Sequence, residues 1–279
     1  MVARELFVGL VDDAALFPPG NAPMGEALAE HAGHRGAWYA DLIGPFLCPA
    51  SRVDDLVDEL PADQQLRLAL VVDVSGDDAH QALRAVAADP RLTLVAVEAA
   101  QVGLGEDTAT VGGNLRRLPG VTGYLEVPRT GFEAALELVG QTGWHAAKYR
   151  TGATTAAGFP AEDELGAFIR AVTERGLPFK LTAGLHRAVR HTDPVTGFEH
   201  HGVLNVLVAT RVGQQGGSPV EVTSVLTERD SAVLVEFVRE WDAAGCADVR
   251  TALRSIGCCG VTDPIHELAD LGLVERAPR

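Results

Sequence analysis

Short apolar runs alternate with amphipathic segments along this chain. The runs are short enough for strands, and the segments between them repeat apolar positions three or four residues apart, as helices do. The runs are Leu6 to Val11, Trp38 to Ile43, Leu66 to Val74, Leu92 to Glu98, Gly123 to Val127, Trp144 to Tyr149 and Pro178 to Thr182. The helical patterns include Met24 to His31, His80 to Ala88, Phe132 to Val139 and Glu162 to Glu174. This alternation predicts an α/β fold with a parallel sheet, which closes most naturally into a (β/α)8 TIM barrel.

The eighth strand is less obvious than the others. Val220 to Leu226 has the composition of a strand, but Ser218-Pro219-Val220-Glu221 has the pattern of a helix start, with a capping residue, a proline at the first position and a capping box. We therefore expect a single TIM-barrel domain over residues 1–279, in which residues 185–252 form an extended helical connection. The expected elements are helices at Pro219 to Glu228 and Ala232 to Ala243, an eighth strand at Leu253 to Gly257 and a last helix at Ile265 to Leu271.

Composition argues against several classes of protein. The formal net charge of -15 is the opposite of the basic surface that nucleic acids and anionic membranes require, so we expect neither as a partner. No run approaches the ~18 apolar residues of a membrane span, and the apolar stretch within Met1 to Leu10 is too short for a signal sequence. The cysteines have the spacing of neither a disulfide framework nor a zinc site: Cys48, Cys246, Cys258 and Cys259. We expect a cytoplasmic protein that acts on a small-molecule substrate without a cofactor or metal and that can form a homo-oligomer.

Lysine is almost absent from the chain. Lys148 and Lys180 are the two lysines, and each lies at the end of an apolar run just before a glycine-containing turn. Every other basic position is arginine, so a need for positive charge alone does not explain the two exceptions. An amine forms a Schiff base with a carbonyl compound or gives up a proton near neutral pH, whereas a guanidinium does neither. The alternative is that lysine is merely rare and these two have no special role.

Strand parity places both lysines inside the barrel. Ala146, Lys148 and Arg150 share one face of the sixth strand, and Lys180 and Thr182 share one face of the seventh. Neighbouring strands are ~4.8 Å apart, so we expect the two amines within roughly 6 Å of each other or bridged by one carboxylate. Two like charges ~4 Å apart at an effective dielectric of about 20 repel by about 4 kcal/mol. One of the amines is therefore expected to be neutral near pH 7.

Three carboxylates end the strands that precede the lysines. Asp73 ends the third strand, Glu98 the fourth and Glu126 the fifth. Each is either a structural ion-pair partner for a buried lysine or an acid–base group of the kind that carbinolamine formation and breakdown require. The sequence leaves both alternatives open and makes all three candidate catalytic residues beside Lys148 and Lys180.

The lysine segments resemble a known family. Lys148-Tyr149-Arg150-Thr151-Gly152 and Lys180-Leu181-Thr182-Ala183-Gly184 are similar to the sixth-strand and seventh-strand motifs of deoxyribose-phosphate aldolase and its class I aldolase relatives. The resemblance implies that Lys148 forms the Schiff base and that Lys180 tunes it. Ser255-Ile256-Gly257-Cys258-Cys259-Gly260 resembles the family's phosphate loop in placement. Arg150, the cysteine pair and the long connection after the seventh strand depart from the family's pattern, so the resemblance does not identify the substrate.

The loops after the sixth, seventh and eighth strands are rich in glycine. Backbone N–H groups after Gly152, Gly184 and Gly257 can hold a phosphate or carboxylate, although such glycines are also ordinary at strand-to-helix turns. Arg150 is a further anion partner. We therefore expect a small anionic carbonyl compound as substrate. The candidate substrate-binding residues are Arg150, Thr151, Gly152, Thr182, Gly184, His186, Gly257, Cys258 and Cys259.

Two alternatives to an aldolase-like lyase remain open. Four histidines follow the seventh strand, and with Asp73 or Glu98 they suggest a metal-dependent hydrolase or lyase, although no ligand spacing makes this specific: His186, His191, His200 and His201. The other alternative is a non-catalytic barrel that binds a small molecule. The adjacent cysteines are either a redox pair or small thiols in the core.

Overall fold

Eight parallel strands form a closed barrel in the computed structural model, which describes residues 4–74, 76–100 and 108–276. The barrel strands are β1 (Val11–Asp13), β2 (Ile43–Pro49), β3 (Leu66–Val72), β4 (Leu92–Ala100), β5 (Thr122–Glu126), β6 (Ala146–Arg150), β7 (Phe179–Thr182) and β10 (Leu253–Cys258), and two further short strands are β8 (His191–Thr192) and β9 (Glu199–His200). β8 and β9 pair as a small antiparallel hairpin outside the barrel. The other strands follow chain order around the barrel, and β10 lies between β7 and β1. The predicted (β/α)8 fold is confirmed.

Helices connect the barrel strands in the described residues. They are α1 (Met24–Gly36), α2 (Val53–Glu59), α3 (Gly76–Ala88), α4 (Thr108–Leu115), α5 (Glu133–Thr142), α6 (Glu162–Glu174), α7 (Val203–Gln214), α8 (Pro219–Thr227), α9 (Ser231–Arg239), α10 (Ala243–Ala252) and α11 (Thr262–Asp270). None of them combines the length and apolar character that crossing a membrane requires. The hairpin and helices α7 to α10 therefore all lie between β7 and β10.

The main hydrophobic core lies between the barrel and its helices. Phe168 of α6 stacks on Tyr149 of β6, with ring centroids 4.3 Å apart, and packs edge-on against Phe179 of β7. All three side chains are fully buried. Because alternate residues of a strand point to opposite faces, this packing directs Lys148 and Lys180 into the barrel.

The helix start predicted at Ser218 is present. The Ser218 hydroxyl accepts a hydrogen bond from the Glu221 backbone N–H, and the Glu221 carboxylate accepts one from the Ser218 N–H at 2.8 Å. This reciprocal cap begins α8 and explains why the strand-like residues after it are helical. The sequence pattern did not reveal α10, whose first turn is capped by the Asp242 side chain.

The first two strands lie later in the chain than the apolar runs predicted. The run from Leu6 to Val11 forms a turn whose apolar side chains, except that of Val8, are buried, and β1 begins at its last residue. The run from Trp38 to Ile43 likewise ends where β2 begins. An apolar run indicates that a segment is buried but not which backbone conformation it has, and most of these two segments is not extended. The shift matters for the site because it brings Asp12 into β1.

Candidate active site

Lys148 and Lys180 share one register position on neighbouring strands, and a single carboxylate lies between their amines. Glu98 of β4 accepts a hydrogen bond from Lys180 Nζ at 2.5 Å through Oε1. Its other oxygen, Oε2, lies 2.9 Å from Lys148 Nζ. This second contact is an ion pair, because Oε2 receives no well-aligned hydrogen bond from the described residues. Both amines thus point into the barrel and are bridged by one carboxylate, as predicted.

A second carboxylate holds Lys180 from the other side. Asp12 Oδ2 lies 2.6 Å from Lys180 Nζ and also accepts a hydrogen bond from the Ser255 hydroxyl at 2.6 Å. The ring of Tyr124 lies 5.3 Å from the same ammonium group, close enough for a cation–π contact. Sequence reasoning missed Asp12 and Ser255. Once β1 is extended to include Asp12, strand parity turns its side chain into the barrel.

Lys148 lies closer to solvent than Lys180 does. The Lys180 side chain is fully buried, whereas that of Lys148 is 4% exposed and contacts Glu126 Oε2 at 3.0 Å. Glu126 is itself 21% exposed and pairs with Arg150, whose side chain is 52% exposed. The charged residues therefore extend from the sealed interior at Lys180 to solvent at Arg150. A ligand that entered along this path would reach Lys148 first.

The charges of this network depend on one another. Burial would raise the pKa of Glu98, but Lys148 and Lys180 lower it to about 2. Burial would lower the pKa of Lys180, but Asp12 and Glu98 raise it above its ordinary value. The pKa of Glu126 is lowered by Lys148 and Arg150 in spite of burial. Asp12 differs, because burial raises its pKa more than Lys180 and Ser255 lower it. The expected repulsion between the amines is thus offset by Glu98, and Asp12 is the carboxylate most ready to accept a proton.

The structure does not bring Asp73 to the lysines. Its side chain is exposed and accepts hydrogen bonds from the Ser51 backbone N–H at 2.9 Å and the Ser51 hydroxyl at 2.5 Å. These contacts hold the loop after β2. The structure therefore gives Asp73 a local structural role and separates it from Glu98 and Glu126.

The glycines after β6 and β7 pack against each other. A Cβ atom on Gly152 would lie 2.7 Å from both the Cα and the N atom of Gly184. Thr151 donates a backbone hydrogen bond to Thr182 and a hydroxyl hydrogen bond to the Ala183 carbonyl, which ties the two loops together. Gly257 is similarly close to Thr182, with a would-be Cβ 3.0 Å from the threonine hydroxyl oxygen. Close approach of backbones is thus one reason for glycine at these positions.

His186 lies between the adjacent cysteines. Its Nδ1 is 3.5 Å from Cys258 Sγ, and its Nε2 is 3.9 Å from Cys259 Sγ. Burial lowers the pKa of His186 and raises the pKa of both thiols. These groups are therefore neutral near pH 7. The cluster joins the loop after β7 to the end of β10.

The remaining histidines of the loop after β7 pack on aromatic rings. His191 and His200 face each other across the hairpin with ring centroids 5.1 Å apart. His200 also stacks on Phe159, and its ring lies 6.3 Å from that of His186. His201 points elsewhere, toward the Pro160 carbonyl. Among the described residues, no group of three His, Cys, Asp or Glu side chains is arranged to hold a metal ion.

Comparison with known proteins adds no identification. No protein-family model matches the chain, and no curated protein matches it either. The geometry of the site is therefore the basis on which a function can be proposed.

Proposed function

We propose that this barrel is a class I aldolase-like lyase, which makes or breaks a carbon–carbon bond in a small carbonyl compound through a Schiff base. The observation that carries the proposal is the pair of buried lysines bridged by Glu98 inside the barrel. Buried ion pairs lose hydration energy that their mutual attraction often fails to restore, so they are a poor way to gain stability. Charged groups with shifted pKa values that share one cavity are typical of active sites.

Lys148 is the nucleophile in this proposal. It is the lysine nearer to solvent, and the Glu98 and Glu126 carboxylates lie within 3.0 Å of its amine, where one of them can take its proton. The neutral amine adds to the carbonyl carbon, the carbonyl oxygen gains a proton, and a carbinolamine results. Loss of its hydroxyl group as water leaves an iminium ion bonded to Lys148 Nζ.

Lys180 and Asp12 handle protons in the same steps. Lys180 remains an ammonium group and can protonate the departing hydroxyl, and Asp12, at 2.6 Å, can exchange protons with it. For cleavage, a carboxylate of the site takes the proton of the hydroxyl group on the fragment that leaves, and this fragment departs as an aldehyde. The electron pair of the broken carbon–carbon bond moves into the iminium ion, which gives an enamine. The enamine regains a proton, and addition of water to the resulting imine releases the second product and free Lys148.

A non-catalytic ion-pair network is the competing account. It is favoured by the alternation of opposite charges, since each ammonium group in the barrel contacts two carboxylates. The metal-dependent alternative requires that histidines of the loop after β7 coordinate one metal ion. In the described residues those rings contact aromatic side chains and thiols.

Borohydride trapping tests the proposal. The protein is incubated with a panel of small aldehydes and keto acids, reduced with sodium borohydride, and analysed by intact mass and peptide mapping. We expect a carbonyl-dependent mass increase located on Lys148. Lys148→Arg is the matched control. It keeps a positive charge at residue 148 and leaves Lys180 and the N-terminal amine unchanged, but arginine cannot form the imine. An adduct that persists in this variant rules out Lys148 as the nucleophile. No adduct with any compound contradicts the Schiff-base function, and tightly bound metal would then support the metal-dependent class.

A further inference from the structure

The residues around the carboxyl ends of β6 and β7, the strands that carry the two lysines, indicate the class of substrate. We infer that the substrate is an uncharged, hydroxylated carbonyl compound, with no phosphate or carboxylate group, and that the imidazole of His200 accepts a hydrogen bond from its hydroxyl. The inference rests on the proposed Schiff-base function and names its substrate class. It replaces the anionic substrate that the sequence led us to expect.

The arginines around the barrel opening already have carboxylate partners. An anion held there would have to compete with these partners, because phosphate and carboxylate groups are bound mainly by arginine, lysine or exposed N–H groups. The pairs in the described loops after the barrel strands are Arg52 with Asp55, Arg129 with Glu164, Arg150 with Glu126, Arg187 with Glu267, and Arg190 with Glu162 and Glu199. Both lysines of the chain are inside the barrel and are similarly paired.

The glycine loops that the sequence offered for an anion make close contacts of their own. The loops at Gly152 and Gly184 pack against each other, with no room for a methyl group between them. After β10, a would-be Cβ on Gly260 lies 2.9 Å from the Asp263 carboxylate. Asp263 belongs to the first turn of α11, so the chain supplies its own negative charge at the helix end that would attract an anion.

His200 offers a hydrogen-bond acceptor in the same region. Its ring is nine-tenths buried, and Nδ1 has no hydrogen-bond partner among the described residues. Burial lowers the pKa of His200, so its ring is neutral near pH 7 and carries one N–H group and one lone pair. The proposed contact places the proton of the neutral ring on Nε2, which leaves the lone pair on Nδ1.

A buried lone pair of this kind selects a donor. A hydroxyl group can donate a hydrogen bond to Nδ1, whereas an ionised phosphate or carboxylate has only acceptor oxygens. His200 stacks on Phe159, and a would-be Cβ on Gly184, two residues after β7, lies 3.1 Å from the Phe159 ring. His200 therefore lies near the carboxyl end of β7. A carbonyl compound bonded to Lys148 would extend toward this end. The surrounding rings of His186 and Phe159 add an uncharged lining.

Matched pairs of carbonyl compounds test the inference. We measure the rate of borohydride-trapped adduct at Lys148 with glyceraldehyde and glyceraldehyde 3-phosphate, and with dihydroxyacetone and its phosphate, each divided by the rate for free N-α-acetyllysine. The expected result is a rate at least roughly tenfold higher for the uncharged member of each pair. Equal or faster trapping of the phosphates overturns the inference but leaves the Schiff-base function intact. Absence of any Lys148 adduct overturns both.

Three variants separate the role of His200 from general damage. His200→Phe keeps a ring to stack on Phe159 but removes the acceptor, so the preference for glyceraldehyde over propionaldehyde should fall severalfold. His186→Arg adds a cation beside the thiols and should reduce discrimination against the phosphates. His80→Arg adds the same charge on the exposed face of α3 and should leave both ratios unchanged. An unchanged glyceraldehyde preference in His200→Phe overturns the assigned contact.

Discussion

Lys148 and Lys180 lie side by side on neighbouring strands, yet their amines contact opposite oxygens of one carboxylate. Charges therefore alternate through the barrel in the order Asp12, Lys180, Glu98, Lys148, Glu126. Neighbouring cations lower the pKa of Glu98 and Glu126, and neighbouring carboxylates raise that of Lys180, whereas burial raises the pKa of Asp12. Removal of one member changes the electrostatic environment of those beside it, so single substitutions should report both stability and chemistry.

Substitution of each lysine by arginine should separate their roles. Lys148→Arg keeps a cation between Glu98 and Glu126 but has no nucleophilic amine, so adduct formation and turnover should be abolished. Lys180→Arg leaves the nucleophile in place but replaces a proton donor, so adduct formation should persist at a rate roughly 10² to 10⁴ lower. Trapped mass and single-turnover rates are the measurements.

The folding of both lysine variants needs an independent check. Circular dichroism and the denaturant midpoint should show a folded barrel in each, since a positive charge is retained. Equal loss of adduct in two folded variants would mean that the lysines act as one unit. Full adduct formation in Lys148→Arg would remove Lys148 from the proposed mechanism.

Glu98 should be the most costly carboxylate of the site to neutralise. Glu98→Gln leaves two buried ammonium groups short of a partner, and removal of one member of a buried pair typically costs about 3 to 5 kcal/mol of unfolding free energy. Glu126→Gln is the matched control: its side chain is partly exposed, and we expect a loss of roughly 1 kcal/mol. Denaturant unfolding at pH 7 measures both.

A double variant gives the Glu98 prediction a second test. Lys180→Met removes one of the ammonium groups that Glu98 neutralises, so the combined variant should lose less than the two single losses added together. Strict additivity would mean that Glu98 and Lys180 do not depend on each other, contrary to their 2.5 Å contact.

The lysines and the barrel were accessible from the sequence because both follow from periodicity. β6 and β7 have apolar residues on one face, and this pattern determined which way Lys148 and Lys180 point. Glu98 and Glu126 were candidates because they end the fourth and fifth predicted strands. In these strands the local pattern and the global fold agree, so a single chain was sufficient to predict them.

The role of Asp12 and the hydrogen-bond partner of Asp73 could not be predicted from the sequence, for a physical reason. β1 is three residues long, too short to show an alternating pattern, and its buried carboxylate looks like the polar residue that usually ends a strand. Asp73 follows a clear strand, but its hydrogen bonds to Ser51 depend on the path of a different loop. Such loop contacts between distant residues leave no periodic signal.

Low pH should reduce the free energy of unfolding because Glu98 becomes protonated. Its pKa is about 2 in the folded state and about 4.3 in an unfolded chain. A carboxylate whose folded pKa is depressed stabilises the fold above its unfolded pKa and loses that contribution as pH falls through the folded value. The full contribution is on the order of 3 kcal/mol, with about half lost by pH 3. Because the pKa of Asp12 is raised, its contribution to stability increases as pH falls and offsets part of the loss.

The difference between wild type and Glu98→Gln isolates this effect. Unfolding free energies are measured in urea from pH 7 to pH 3. The stability difference between the two proteins should be largest above pH 5 and should shrink as Glu98 in the wild type becomes protonated. A difference that is independent of pH would show that Glu98 stabilises the barrel by packing rather than by charge.

Gly152 should be intolerant of a methyl group because of the loop that follows β7. An alanine Cβ at this position would lie 2.7 Å from the Gly184 backbone, so the two loops must separate, at a cost of about 1 to 3 kcal/mol. Gly140→Ala is the matched control, because Gly140 lies in α5 with no heavy atom within 4 Å of its would-be Cβ, and should gain about 0.5 to 1 kcal/mol. Unfolding in urea measures both changes, and trapping at Lys148 reports whether the end of β6 has moved. If Gly152→Ala is as stable as wild type, the close approach of the two loops does not explain why residue 152 is glycine. An anion bound by the loop N–H groups would then be the better explanation.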